Sequence, residues 1–337
     1  MAVAVVVALA GALVCRALHT PLPWLIGPLA AVALASMLHA PLQPPPAALQ
    51  LGQWAIGVAL GLYFSPDVVR TVGALAPWLG LYVLFALLLN WLGAALMRRL
   101  SDSDAPTVFF ATAIGSASEM MLQAQRHGGR ADRVAAAHSL RLMLVALIVP
   151  LAFAALDVHG LDPYTPLAHR FDAVGFVVLV AVTMGAAAAM QRLGSVNSWM
   201  LGPLFAAALI TATGHSFSAL PVAVVNAGQL LIGISLGCHF TPEFFRAAPR
   251  FLAAVVLITL VYLVCSVVFG LALAPLAGLP WPTAVIATTP GGIGEMALTA
   301  QALQLGVPVV TAFHVLRMAA VVLVTAPSYA VWHRRGS

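Results

Sequence analysis

Apolar residues run along this 337-residue chain in long blocks, separated by short clusters rich in proline, glycine and arginine. Six blocks occupy roughly residues 2–18, 22–38, 47–65, 73–97, 105–125 and 134–156. Six more occupy roughly 173–190, 198–214, 223–241, 250–276, 281–304 and 308–332. Blocks of this length and continuity read as membrane helices, whereas barrel strands would be short and alternating. Composition agrees: the chain is 62% hydrophobic and 7% charged. Too few polar residues remain to cover a water-facing surface. The first block, "AVAVVVALAGALVC", lacks a basic stretch ahead of it and has a counterpart in the second half. It therefore reads as a retained span rather than a signal peptide.

The blocks repeat. "GQWAIGVALGLYFSPDVVR" from Gly52 matches "GQLLIGISLGCHFTPEFFR" from Gly228, with nine of 19 positions identical at a displacement of 176. "PWLIGPLAA" around Trp24 matches "SWMLGPLFA" around Trp199, displaced by 175. "ATAIGSASEMMLQAQ" from Ala111 matches "ATTPGGIGEMALTAQ" from Ala287, and "HSLR" from His138 matches "HVLR" from His314, both displaced by 176. The order and spacing predict two homologous membrane repeats, residues 1–165 and 166–337.

Charge bears on topology. There is no lysine, and the formal net charge of +5 rests on scattered arginines. That pattern reads as a loop-orientation signal, not as a nucleic-acid face. If all twelve blocks span, the thirteen loop arginines divide 8 to 5 between the two sides. If the fifth block of each half turns back, they divide 10 to 3, with both termini, including Arg334 and Arg335, on the richer side. Cytoplasmic loops collect arginine, so the stronger bias favours about ten spans plus two broken or re-entrant glycine-rich segments. The halves are then inverted and both termini cytoplasmic.

The same two segments carry the chemistry. Pro290 removes a backbone donor, and Gly291 and Gly292 loosen the following turn. The first half has Gly115 and Ser116 at the equivalent places, but Ile114 instead of proline, which predicts a milder break. A break at membrane depth is tolerated where protein or water satisfies the freed backbone. Inverted-repeat transporters place such breaks at substrate and ion sites. Glu119 and Glu295 follow the breaks at one spacing, and the next block brings His138 with Arg141, then His314 with Arg317. His and Arg three residues apart share a helix face. Intramembrane charges ask for partners, so Glu119–Arg141 and Glu295–Arg317 are the expected ion pairs. They read either as structural pins or as groups that handle protons or substrate.

Other candidates carry less. The glycine and proline of "WLIGPL" and "WMLGPL" suit close helix packing. Gln53 and Gln229 suit interhelical hydrogen bonds or a polar path, and Asp67 with Arg70 a solvated helix end. Cys15, Cys238 and Cys265 show no paired spacing, and the histidines form no metal-ligand cluster.

The paired "LGPL" segments, the "SASEM" and "TPGGIGEMALTA" segments each followed by "HxxR", and the duplication resemble the bacterial AbrB-type membrane proteins, over almost the whole chain. That family is similar to the duplicated cation, anion and bile-acid transporters. The resemblance implies an inner-membrane protein whose broken segments form a transport core. The family's labels, ammonia monooxygenase and regulator of gene expression, do not fit the residues well. No copper, iron or flavin ligand set is legible, and no soluble or basic surface could read DNA.

These readings converge on a secondary transporter of a small solute, not an enzyme and without a cofactor. The alternative is a membrane sensor affecting gene expression indirectly. The expected partners are the lipid bilayer and a small-molecule or ion substrate, with no direct nucleic-acid contact; a homodimer stays open.

Overall fold

A computed structural model describes residues 1–161, 164–168 and 170–336, with side chains described except at 247 and 333–336. Arg334 and Arg335, counted above for topology, lie among those without described side chains. The first eight helices are α1 (Ala2–Ala17), α2 (Pro23–Met37), α3 (Ala48–Gly61), α4 (Pro66–Ala74), α5 (Ala76–Leu100), α6 (Ala105–Thr112), α7 (Ala117–Arg126) and α8 (Ala131–Ala155). The next eight are α9 (Ala173–Arg192), α10 (Ser198–Ala212), α11 (Val222–Gly237), α12 (Pro242–Ala247), α13 (Pro249–Ala277), α14 (Trp281–Thr288), α15 (Ile293–Ala302) and α16 (Val307–Gly336). The second set repeats the first in order.

Among the described residues, α5, α8, α9, α13 and α16 are each long and apolar enough to cross a membrane. The pair α3 and α4, bent by 90°, adds a sixth if it is one span. Apolar side chains are exposed along these helices, such as Leu84 and Leu88 on α5, Val174 and Val177 on α9, and Val264 and Val268 on α13. Exposed apolar stripes of this extent suit lipid contact rather than water. The protein is thus an all-helical, multi-span membrane protein.

Compactness divides the chain along a different line from the sequence repeat. One unit comprises Met1–Ala74, Val149–Pro242 and Ala297–Thr311; the other comprises Leu75–Ile148, Glu243–Met296 and Ala312–Ser337. Each unit therefore draws on both halves of the sequence.

In the first unit, the "LGPL" helices are packing surfaces. Gly57 of α3 lies against the Met200 carbonyl and Pro203 of α10, and Gly233 of α11 lies against the Leu25 carbonyl and Pro28 of α2. A Cβ at either glycine would press on main chain of the facing helix. Small residues let helix backbones approach where apolar burial alone cannot drive association in lipid. The same logic sets Gly11 of α1 against Gly27 of α2, and Ala187 of α9 against Gly202 of α10. Trp54 donates to the Thr183 hydroxyl at 3.0 Å, and Thr211 donates to the Gly61 carbonyl at 3.0 Å.

In the second unit, α5 packs on α13 through Gly93, where any Cβ would overlap the Tyr262 ring and hydroxyl. Asp104 caps α6, accepting from the Thr107 amide and hydroxyl at 2.8 Å each.

Candidate functional site

Every residue singled out at the two glycine-rich segments falls in the second unit. Helix α6 ends at Thr112 and α7 begins at Ala117; α14 ends at Thr288 and α15 begins at Ile293. Both breaks are four residues long, and both leave the first half-helix in extended backbone: Ala113 at φ −59°, ψ 134° and Thr289 at φ −67°, ψ 151°. Pro290 restricts Thr289 to that region. The first break reaches the same length with Ile114 in the proline's place, so the expected milder break is not found.

The reason lies on the following helices. An ended helix leaves carbonyls without intrahelical donors, and in a bilayer water does not supply them. On α8, His138 Nε2 lies 3.0 Å from the Phe110 carbonyl and Arg141 donates to the Ala113 carbonyl at 3.0 Å. On α16, His314 Nε2 lies 3.1 Å from the Ile286 carbonyl and Arg317 donates to the Thr289 carbonyl at 2.9 Å. Each donor and each acceptor is displaced by 176 from its counterpart. A carbonyl only accepts, so the bonded Nε2 of each histidine carries its proton. The guanidinium also brings positive charge to the negative end of a half-helix.

This corrects the expected ion pairs. Among the described residues, Arg141 bonds the Ala113 carbonyl and His138 Nδ1, not Glu119. Arg317 bonds the carbonyls of Thr289 and Gly291 (2.6 Å) and the Tyr82 hydroxyl (3.1 Å), not Glu295. Main-chain dipoles outcompete the carboxylates because they are already fixed at the arginine's position, whereas the glutamates sit one turn further on, at the start of the second half-helices.

There the glutamates face the positive helix ends. Glu119 is half-buried and accepts from Gln123 at 2.7 Å. The Glu295 carboxylate folds back over Gly292, where an added Cβ would overlap its Oε2. Ser116, the residue before α7, makes no side-chain cap. The structure thus joins His138 and Arg141 to the first break, and His314, Arg317 and Gly291 to the second. Glu119 and Glu295 stand apart from the arginines.

The two copies differ in detail. Arg317 spans two carbonyls across the Pro290–Gly291 turn, where Arg141 takes one and turns its other nitrogen to His138. Among the described residues, His314 Nδ1 and the Nε of both arginines are buried without a partner. A cavity of about 10 Å³ beside Arg141, Thr112 and Tyr262 is room for about one water.

Sequence reasoning missed a polar ring around the breaks. Thr112 donates to Asn90 at 3.1 Å and Thr288 to the Ser266 carbonyl at 3.1 Å, again 176 apart at each end. Tyr262 donates to the Thr112 carbonyl at 3.1 Å. The repeat displacement linking Asn90 to Ser266 was a usable signal. Tyr82 and Tyr262 gave none, because their repeat counterparts are Ile258 and Ala86.

A family profile described as "Transition state regulatory protein AbrB" matches residues 24–333. A Bacillus subtilis (strain 168) protein named "Uncharacterized protein YhjN" is 26% identical over 306 residues, covering 85% of this chain and 78% of its own. An Escherichia coli (strain K12) protein named "Putative regulator AbrB" is 25% identical over 318 residues, covering 93% of this chain and 90% of its own. No solved structure matches.

Proposed function

The chain belongs to the AbrB family, and from that premise we propose that it is a secondary transporter of a small solute. It is read as ten spans in two inverted halves with two broken segments, in a bacterial inner membrane with both termini cytoplasmic. It needs no enzymatic step and no cofactor. The observation that carries the reading is the duplicated break, each held open by a His and an Arg from the following helix. A protein gains nothing in stability by interrupting two apolar helices and then spending two buried cations to cap them. The arrangement makes sense where the freed half-helix starts, with Glu119 and Glu295 on their first turns, receive a solute or coupling ion.

The test is ligand-dependent stability of the purified protein in detergent. A panel of amines, carboxylates, neutral metabolites and ions is screened by thermal unfolding, with Glu119→Gln and Glu295→Gln in parallel. The reading expects a ligand that raises the wild-type midpoint but not that of a still-folded Glu295→Gln protein, and then flux of that ligand in liposomes that Glu295→Gln abolishes. No response across the panel, with both variants markedly less stable, would reject it. That outcome leaves the second reading, a membrane sensor acting indirectly on gene expression.

A further inference from the structure

We propose that the first unit carries a binding site for an uncharged small molecule bearing a carboxamide or hydroxyl group on an apolar body. The site uses none of the residues of the helix breaks and does not depend on the transport reading. A cavity of about 360 Å³ opens among α3, α11 and the end of α15, lined also by Pro166 and Ala168 of the connection between the repeats. That volume falls within the range of small-molecule sites, which commonly have apolar walls with a few placed polar groups.

The polar groups are specific. Tyr63, Asn226, Gln229 and Gln301 line the cavity, and the rest of the described lining is apolar. Gln229 is a buried residue, 7% exposed. Among the described residues, neither the Gln229 nor the Asn226 side chain makes a hydrogen bond to the chain. Gln301 donates to the Tyr63 hydroxyl at 3.3 Å, fixing two of the four groups against each other. A buried carboxamide costs free energy until its donors and acceptor are met. Gln229, with the half-buried Asn226 facing the same space, points to a ligand that meets them.

Charge decides the class. No arginine, lysine, aspartate, glutamate or histidine is among the described residues that line the cavity. A charged ligand would lose its water and find no countercharge among the described residues. A neutral amide or alcohol loses less and recovers it from the carboxamides, which both donate and accept. The Leu22, Ala59 and Leu298 side chains receive the apolar part. The first-half counterparts Gln53 and Gln125 are not in the described lining, so the site belongs to one copy of each repeated pair.

Three probes of nearly the same shape test it: benzamide (neutral), benzoate (anionic) and benzamidinium (cationic). Each is titrated against the full-length protein in detergent while the unfolding midpoint is read. Benzamide is expected to raise the midpoint in a saturable way. Either ion should bind at least about tenfold more weakly, as should benzamide to Gln229→Leu, since a ligand hydrogen bond is worth about that factor. Gln229→Leu breaks no side-chain bond within the described chain and removes an unmet carboxamide, so it should unfold at or above the unliganded wild-type midpoint, and Tyr63→Phe gives a second variant. Glu295→Gln should retain the benzamide response, which separates this site from the breaks. The absence of a benzamide response overturns the proposal. So do equal responses to all three probes, or a response that survives in both Gln229→Leu and Tyr63→Phe. A phospholipid held through purification equally by wild type and Gln229→Leu, read by native mass spectrometry, would assign the cavity to an acyl chain and also overturn it.

Discussion

Arg317→Met tests whether the arginines are caps of the broken helices. The substitution keeps an unbranched apolar stem but removes three hydrogen bonds, to the carbonyls of Thr289 and Gly291 and to the Tyr82 hydroxyl. Each buried group left without a partner costs about 1–3 kcal/mol. Removing a buried cation returns part of its desolvation cost, so the net loss is about 3 kcal/mol. Arg141→Met orphans only the Ala113 carbonyl and His138 Nδ1, so it should cost about 2 kcal/mol. Arg317→Lys should fall between wild type and Arg317→Met, because one ammonium cannot span two carbonyls as the guanidinium fork does. The assay is denaturant unfolding in mild detergent, with Tyr82→Phe added to close a double-mutant cycle. Capping predicts a coupling of about 1 kcal/mol between Arg317 and Tyr82. A cost below about 0.5 kcal/mol for Arg317→Met, or a larger cost for Arg141→Met, would refute the reasoning. The arginines would then be held for a ligand, not for the backbone.

Other consequences follow from the same geometry. Pro290→Ala should change stability by less than about 1 kcal/mol, because the first break keeps its length with Ile114 at that place; a larger loss in the same assay would mean that proline, not arginine, holds the break. Gly292→Ala drives a Cβ into the Glu295 carboxylate, the free end of a side chain that can move. It should leave the unfolding midpoint nearly unchanged yet weaken any ligand response that Glu295→Gln abolishes. Gly57→Val and Gly233→Val each push a side chain into main chain of the facing helix. Each should cost about 1–3 kcal/mol, and the two costs should be similar, since the contacts are repeats of one another. A cost under about 0.5 kcal/mol for either would show that these helices tolerate separation.

The hydrophobic pattern located the helices because lipid asks for a simple answer: a long apolar run has nowhere else to put its backbone. The repeat was legible for a related reason. Two copies of one packing problem keep the same glycines at the same spacing, and the "LGPL" reading as close packing holds at Gly57 and Gly233. The second break was legible from Pro290, Gly291 and Gly292, the first by its repeat, and the His and Arg stood out by their repetition.

The partners of those arginines were not legible. Opposite charges at suitable depth suggested Glu119 with Arg141 and Glu295 with Arg317, but a sequence displays side chains and hides carbonyls. Once a helix is interrupted, its last carbonyls are acceptors as demanding as a carboxylate, and they stand where the next helix passes. By itself the sequence determined that this is a duplicated helical membrane protein with two interrupted segments and a repeated His and Arg after each, since composition and spacing are properties of the chain. Only the tertiary structure decided what those cations hold, that each compact unit takes helices from both halves, and that Gln229 and Gln301 share one cavity. Those are matters of which backbone groups come within 3 Å of which side chains, and distance in space is not written in distance along the chain.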